Sequence, residues 1–309
     1  MFGFRGRAIA FCASLLFMTL LLIFAGSEIV PQFSFAQEAP QAGQPATPSP
    51  GQSGAGPEQG GRAGRGRGGR GPRYVAPEPM NFDDHAGWQS LFDGVTLKGW
   101  DGPTDVWTVA NGAIVATSTA ANPAGSTYMI WTGGEPANFE FKTEMKLDGE
   151  GANSGIQFRA TRLDAIAGRK YSQWDTRGYQ ADADYKNSNT GALIECCAGS
   201  SRGVPIRTDR AYRGQMVSAA LGTDLKPTLL ATFGDPDALS GYIKIGDWNQ
   251  VYLIARGDTM FYSINGHLMS VFVDDHPTRA RKKGVLALQL EGRGDIKASF
   301  RNIWLKDLP

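Results

Sequence analysis

A chain of 309 residues leaves room for one large folded unit or two small ones, and a formal net charge of +1 provides no global field to select a nucleic acid or a membrane. Three cysteines are too few for a disulfide scaffold. Forty glycines spread among many short alternating runs argue for an all-β sandwich or barrel over a helical fold.

Arg5 and Arg7 precede an uncharged apolar run from Ala8 to Ala25, and Ser34-Phe35-Ala36 places small residues before Gln37. Residues 1–36 are therefore expected to be a secretory signal peptide, with an uncleaved anchor as the alternative, and the protein to be exported to the periplasm or cell envelope. Cys12 sits too early for a lipoprotein site. Residues 37–80 are rich in Pro, Gly, Ala and Gln and are expected to form a disordered linker. Its Arg-Gly tract, Gly61 to Arg73, reads as a spacer in weak contact with an anionic envelope surface; export argues against nucleic acid as a partner.

Residues 81–309 read as one folded domain. Leu91-Phe92-Asp93-Gly94 is an apolar run ending in an Asp-Gly turn, and Gly99-Trp100 closes it. Residues 106–109 and 113–116 flank Asn111-Gly112 as a hairpin. Strands follow at 128–131, at 139–147 with Phe139, Phe141 and Leu147 inward, at 153–159 with Ile156 and Phe158 on one face and Gln157 and Arg159 on the other, and at 178–185 with Tyr179, Ala181, Ala183 and Tyr185 on one face and Gln180, Asp182 and Asp184 on the other. A shorter run covers 191–195. The adjacent Cys196-Cys197 are expected to be thiols, since a bond between sequence neighbours closes a strained ring. Residues 196–240 lack periodicity and read as loops with a few short strands. Strand 248–255, a second hairpin around Asn265-Gly266, and strands 284–291 and 296–305 complete a two-sheet antiparallel sandwich.

No Gly-rich phosphate loop, nucleophile elbow or zinc-ligand spacing is present, and the chain has only three His. What remains is a polar strand face. Gln157, Arg159, Gln180, Asp182, Asp184, Glu195, Gln289 and Glu291 alternate with apolar residues, and Trp131, Tyr171, Trp174 and Tyr179 stand near them. Carboxylates, amides and guanidinium groups bond sugar hydroxyls, and aromatic rings pack on sugar C–H faces. For any single one of these residues a plain solvated position on an antiparallel sheet explains the pattern equally well.

The segments LFDGVTLKGW, NSGIQFR, GYQADAD, TGALIE, DWNQVYLIARGDTMFYSINGHL and GVLALQLEGRGDIKASFRNIWL resemble, in order and spacing, the 3-keto-disaccharide hydrolase family, also named for 3-keto-glucoside 1,2-lyase and 3-keto-2-hydroxy-glucal hydratase activity. The resemblance implies a concanavalin A-like jelly-roll sandwich and an enzyme that cleaves 3-keto-glycosides. The ketone at C3 acidifies the C2 proton; a base removes it, an acid assists loss of the C1 substituent, and water adds to the resulting glucal. On that basis Asp182 or Glu195 is expected to be the base, with the other or Glu291 as acid. Arg159 with Gln157 or Gln180, or a divalent cation, would stabilise the enolate oxygen. Gln157, Gln180, Gln289, Asp184, Trp131, Trp174 and Tyr179 would bind the sugar. Many relatives carry His where this chain has Glu291. The competing expectation is a non-catalytic carbohydrate-binding module of the same architecture.

Overall fold

The computed structural model describes residues 78–196, 209–219 and 227–309. The leader, most of the linker, Cys12 and Cys197 lie outside the described residues.

Side chain-to-backbone bonds shape the entry to the domain. The Asp93 carboxylate accepts from the N–H groups of Val95 and Thr96 and from the Thr96 hydroxyl, at 2.8, 2.6 and 2.6 Å. The Thr96 hydroxyl foremost, with both amides, holds the Asp93 carboxyl down at about 2. Trp100 Nε1 donates to the Leu91 carbonyl at 2.7 Å, so both ends of the signature are tied together while Leu91, Phe92 and Trp100 are buried.

The strands that follow are β1 (Gln89–Ser90), β2 (Trp100–Asp101), β3 (Trp107–Ala110), β4 (Ala113–Ser118), β5 (Gly125–Trp131), β6 (Phe139–Asp148), β7 (Asn153–Arg162), β8 (Thr176–Asp184) and β9 (Leu193–Cys196). Then come β10 (Arg210–Ala211), β11 (Gln215–Ser218), β12 (Thr228–Thr232), the short helix α1 (Pro236–Ser240), β13 (Asn249–Arg256), β14 (Thr259–Ile264), β15 (His267–Val273), β16 (Val285–Gly292) and β17 (Ile296–Asp307). Both expected Asn-Gly hairpins form. Asn111 and Asn265 have φ 51°, and Gly112 and Gly266 have φ 72° and 80°, the left-handed pair a tight hairpin turn requires. The weakly periodic stretch contains β10 to β12 and α1, whose first turn is capped by the Asp235 carboxylate.

Among the described residues, ten strands form one sheet, ordered β12-β11-β15-β14-β13-β6-β17-β4-β3 with β1 beside β17. Seven form the other, ordered β10-β9-β8-β7-β16-β5-β2. Their apolar faces meet in one core that includes Trp107, Phe141, Phe158, Tyr179, Phe272, Leu288 and Phe300. This is the concanavalin A-like jelly-roll sandwich expected. Among the described residues, the one departure from antiparallel pairing is β11, which runs parallel to β15.

The outer face of the seven-stranded sheet is what positions the site. Register places Asp182, Gly155, Gln289 and Tyr128 in one row across β8, β7, β16 and β5. The adjacent row runs Arg210, Ile194, Gln180, Gln157, Ala287 and Ile130. Partners in a row share a face, so these side chains project together. A bulge between Phe158 and Thr161 interrupts β7, and Arg159 within it takes φ 47°.

Candidate active site

The outer face is built around three glutamines. Thr176 Oγ1 donates to Gln157 Oε1 at 2.6 Å; Gln157 Nε2 donates to Gln180 Oε1 at 3.2 Å; Gln180 Nε2 donates to Gln289 Oε1 at 2.8 Å and to Asp182 Oδ1 at 3.0 Å. Gln289 Nε2 completes the run by donating to Glu291 Oε2 at 3.1 Å and to the Tyr128 hydroxyl at 3.2 Å. Each amide has one oxygen and one nitrogen to offer, so the acceptor-only carboxylate at Asp182 fixes the orientation of every amide behind it. Two carboxylates are thus joined through a directed chain of amides. Gly155 makes this possible. A Cβ there would stand 2.7 Å from Gln180 Cγ and 2.8 Å from its Nε2, so only glycine lets the Gln180 side chain cross β7.

Burial sets the acidity of the group. Gln157 and Gln289 are fully buried, and Asp182 is 5% exposed. Desolvation pushes the Asp182 carboxyl up to about 6; the Gln180 hydrogen bond and the Arg210 charge oppose the rise, while Asp184 and Glu291 add to it. Glu291 is also raised by burial, against the pull of its Gln289 hydrogen bond. The Tyr128 phenol is raised, chiefly by burial. A carboxylate titrating near 6 accepts protons better than an exposed one and is still ionised at neutral pH.

Six of the expected site residues come together: Gln157, Gln180, Asp182, Gln289 and Glu291 in the network, and Trp174 beside it. Trp174 packs on the outer-face patch of Tyr128, Ile130 and Ala287 and donates its Nε1 to Asp101 Oδ1 at 2.7 Å. Arg162 holds Asp101 at 2.6 Å. Tyr171 lies nearby, its ring 6.4 Å from Trp174, with its hydroxyl donating to Asp105.

Five expected site residues belong elsewhere. Glu195 pairs with Tyr179 across β9 and β8, which puts it on the opposite side of the sheet from Asp182. It accepts from Arg281 Nε at 3.4 Å, with Arg177 at 4.0 Å. Tyr179 is a core side chain whose hydroxyl donates to Asp274 Oδ2 at 2.7 Å and accepts from the Arg281 amide at 2.9 Å. Arg159, turned by the bulge, donates to the carbonyls of Ala137 (2.6 and 2.9 Å), Gly257 (2.8 Å) and Arg281 (3.2 Å), so its guanidinium is no oxyanion donor. Burial lowers its pKa. Trp131 faces the core rather than the polar face. Asp184 shares the outer face, but its carboxylate accepts from the amides of Ser188, Asn189 and Thr190 and so folds the turn after β8.

Two residues near the network were missed. Tyr128 was hidden because its strand alternates apolar on both faces. Arg210 lies in the stretch without periodicity, and no sequence signal marks it. Cys196, expected as a thiol, is disulfide-bonded, and Gln157 Nε2 lies 4.0 Å from its sulfur. Among the described residues, no group of three His, Cys, Asp or Glu side chains is arranged to hold a metal ion.

A family model described as a 3-keto-alpha-glucoside-1,2-lyase-like domain matches residues 87–306. No curated protein matches the chain. Among solved structures, the carbohydrate binding module CBM66 from Bacillus subtilis is 16% identical, with 69% of this chain and 97% of that chain covered and a TM-score of 0.40. The kappa-carrageenase from Pseudoalteromonas carrageenovora, in complex with an oligotetrasaccharide of kappa-carrageenan, is 10% identical, with 76% and 97% covered and a TM-score of 0.42. Likeness at that level carries nothing about ligand or activity.

Proposed function

We propose a function from one premise: the chain belongs to the 3-keto-alpha-glucoside-1,2-lyase-like domain family. Membership supports a carbohydrate-related role. The finer reading is an enzyme that cleaves 3-keto-glycosides on the outer face of the seven-stranded sheet, with Asp182 as base and Glu291 as acid. Asp182 takes the C2 proton, and the C–H electron pair moves into the C2–C3 bond as the ketone becomes an enolate. The enolate then re-forms the C3 carbonyl, a C1–C2 double bond forms, and the C1–O bond breaks with a proton from Glu291 going to the departing oxygen. The products are a 2-hydroxy-3-keto-glucal and an alcohol; water added across C1–C2 regenerates the 3-keto sugar. The export signal read in the leader extends the proposal to a periplasmic or envelope location.

The observation that carries this reading is a buried carboxylate titrating at about 6, joined through glutamine amides to a second carboxylate whose pKa is also raised. The test is incubation with 3-keto-trehalose and with trehalose, followed by the ultraviolet absorbance of the enone. The expected result is enone from the keto sugar alone, absent with Asp182→Asn. Sugar binding by the wild type without turnover would replace this reading with that of a carbohydrate-binding module.

A further inference from the structure

The expected cation of the site, Arg159, is engaged by backbone carbonyls at the end of the sandwich, yet a reaction through an enolate calls for positive charge. We propose that Arg210 is that cation, and that Asn189 positions it. Arg210 stands on β10 in the same outer-face row as Gln180 and Gln157. Its Nη1 donates to Asn189 Oδ1 at 3.0 Å, and its guanidinium lies 5.3 Å from the Tyr212 ring centre. Asn189 is itself held by the Asp184 carboxylate, which accepts its amide at 2.6 Å. Asp184, expected to bind sugar, therefore shapes the turn that presents Asn189 to Arg210.

Asp182 is faced by charged or titratable groups from several elements. Arg210 from β10 favours its ionised form; Asp184 from its own strand and Glu291 from β16 oppose it. Tyr262 from β14 donates its hydroxyl to the Asp182 carbonyl at 3.4 Å from the core side. β7 contributes Gly155 and the turn before β9 contributes Ala192 beside it, and neither brings a charge. Arg210 is the group in this set that can both keep the base ionised and meet an anionic oxygen on the substrate. Asn189 acts through Arg210 and is a positioning residue.

The role of Arg210 in turnover rests on the 3-keto-glycoside reading; its electrostatic role does not. Two measurements separate them. Carbon-detected NMR titration of the carboxyl groups should show the Asp182 transition displaced upward in Arg210→Met, and displaced less in Arg210→Lys, which keeps the charge. Asn189→Ala removes the side-chain acceptor while keeping the amide that Asp184 caps, and should move the transition in the same direction by a smaller amount. With 3-keto-trehalose, Arg210→Met should lower kcat about 100-fold. Asn189→Ala should lower it about tenfold with KM changed less, and should move the acidic limb of the pH–rate profile upward. An Asp182 titration identical in wild type and Arg210→Met, with both folded, overturns the proposal. The NMR displacement without turnover by the wild type supports the placement of Arg210 and sinks only the choice of substrate.

Discussion

Strand β8 carries polar side chains on both faces, and the two sets are wired differently. On the outer face Gln180 and Asp182 enter bonds that run from side chain to side chain, through Gln157, Gln289, Tyr128 and Glu291. On the other face Tyr179 enters bonds that reach the backbone, directly and through its partner Asp274, while Glu195 is held by the side chains of Arg281 and Arg177. Tyr179 accepts the Arg281 amide, Asp274 accepts the His276 amide, and Arg159 holds the carbonyls of Ala137, Gly257 and Arg281. Together these tie down the loop between β15 and β16. Where a side chain satisfies backbone groups, removing it orphans them and the fold suffers. Where side chains satisfy one another, they can be exchanged for isosteres at little structural expense, which leaves them available for chemistry. The contrast teaches that a buried polar residue on a strand is a site candidate only when its partners are not the main chain.

The largest expected effect falls on the outer face. Asp182→Asn keeps an acceptor oxygen for Gln180 but removes the proposed base, so kcat on a 3-keto-glycoside should fall roughly 1,000-fold while the far-ultraviolet spectrum is unchanged. Glu195→Gln should leave kcat within about twofold, because Glu195 lies across the sheet. Equal losses in the two variants would erase the distinction between the faces. Next in size is Arg159→Met. It leaves three carbonyls without a donor and should lower the unfolding free energy by about 3 kcal/mol or more in urea titrations, with activity per folded molecule retained.

How much of this was legible follows from where period-2 alternation holds. Gln157, Gln180, Asp182, Gln289 and Glu291 lie in long strands with unbroken alternation, so their shared face could be read directly. Glu195 could have been placed by the same rule: it shares parity with Leu193, a core residue, while Ile194 takes the outer face. The short run drew attention to its charge instead of its parity. Arg159 has the right parity with Gln157, and what misleads is the bulge after Phe158, which only the paired strand reveals. Arg210 sits in a two-residue strand, too short to carry any period. Tyr179 shares parity with Ala181 and Ala183, so alternation places it on the apolar face, whereas Trp131 lies in a run that is apolar on both faces and gives no parity to read. The sandwich was legible because its strands are long and its Asn-Gly turns are unambiguous.

A subtler difference between the faces appears in stability as a function of pH. The folded-state pKa of Asp182 is raised from 3.8 to about 6, so the native state binds its proton more tightly than the unfolded chain. The stability linked to that proton is fully present below about 4 and is lost as pH rises through 6. Two pKa units correspond to roughly 2–3 kcal/mol. The unfolding free energy of the wild type should therefore fall between pH 4 and pH 6.5 relative to Asp182→Asn, which lacks the titration. Urea midpoints for the pair at both pH values measure the difference directly. Parallel curves would mean that the carboxyl is not desolvated and the outer face is open to water.

The smallest effect isolates the geometry that lets the amide chain exist. Gly155 lies between Asp182 and Gln289 in one row, and the Gln180 side chain passes over it to bond both. In Gly155→Ala the new methyl would meet Gln180 Cγ at 2.7 Å and the Ala181 carbonyl oxygen at 2.7 Å. The side chain can swing aside; the carbonyl requires β7 and β8 to shift by a few tenths of an ångström, for about 1–2 kcal/mol of stability. With Gln180 displaced, Asp182 loses the hydrogen bond that favours its ionised form, and its titration moves upward. Turnover should fall about tenfold at pH 7 and recover partly at higher pH, where the base is ionised again. A loss that is the same at every pH would mean that Gln180 acts on the substrate rather than on Asp182, and the chain of amides would then be a binding surface rather than a device for tuning the base.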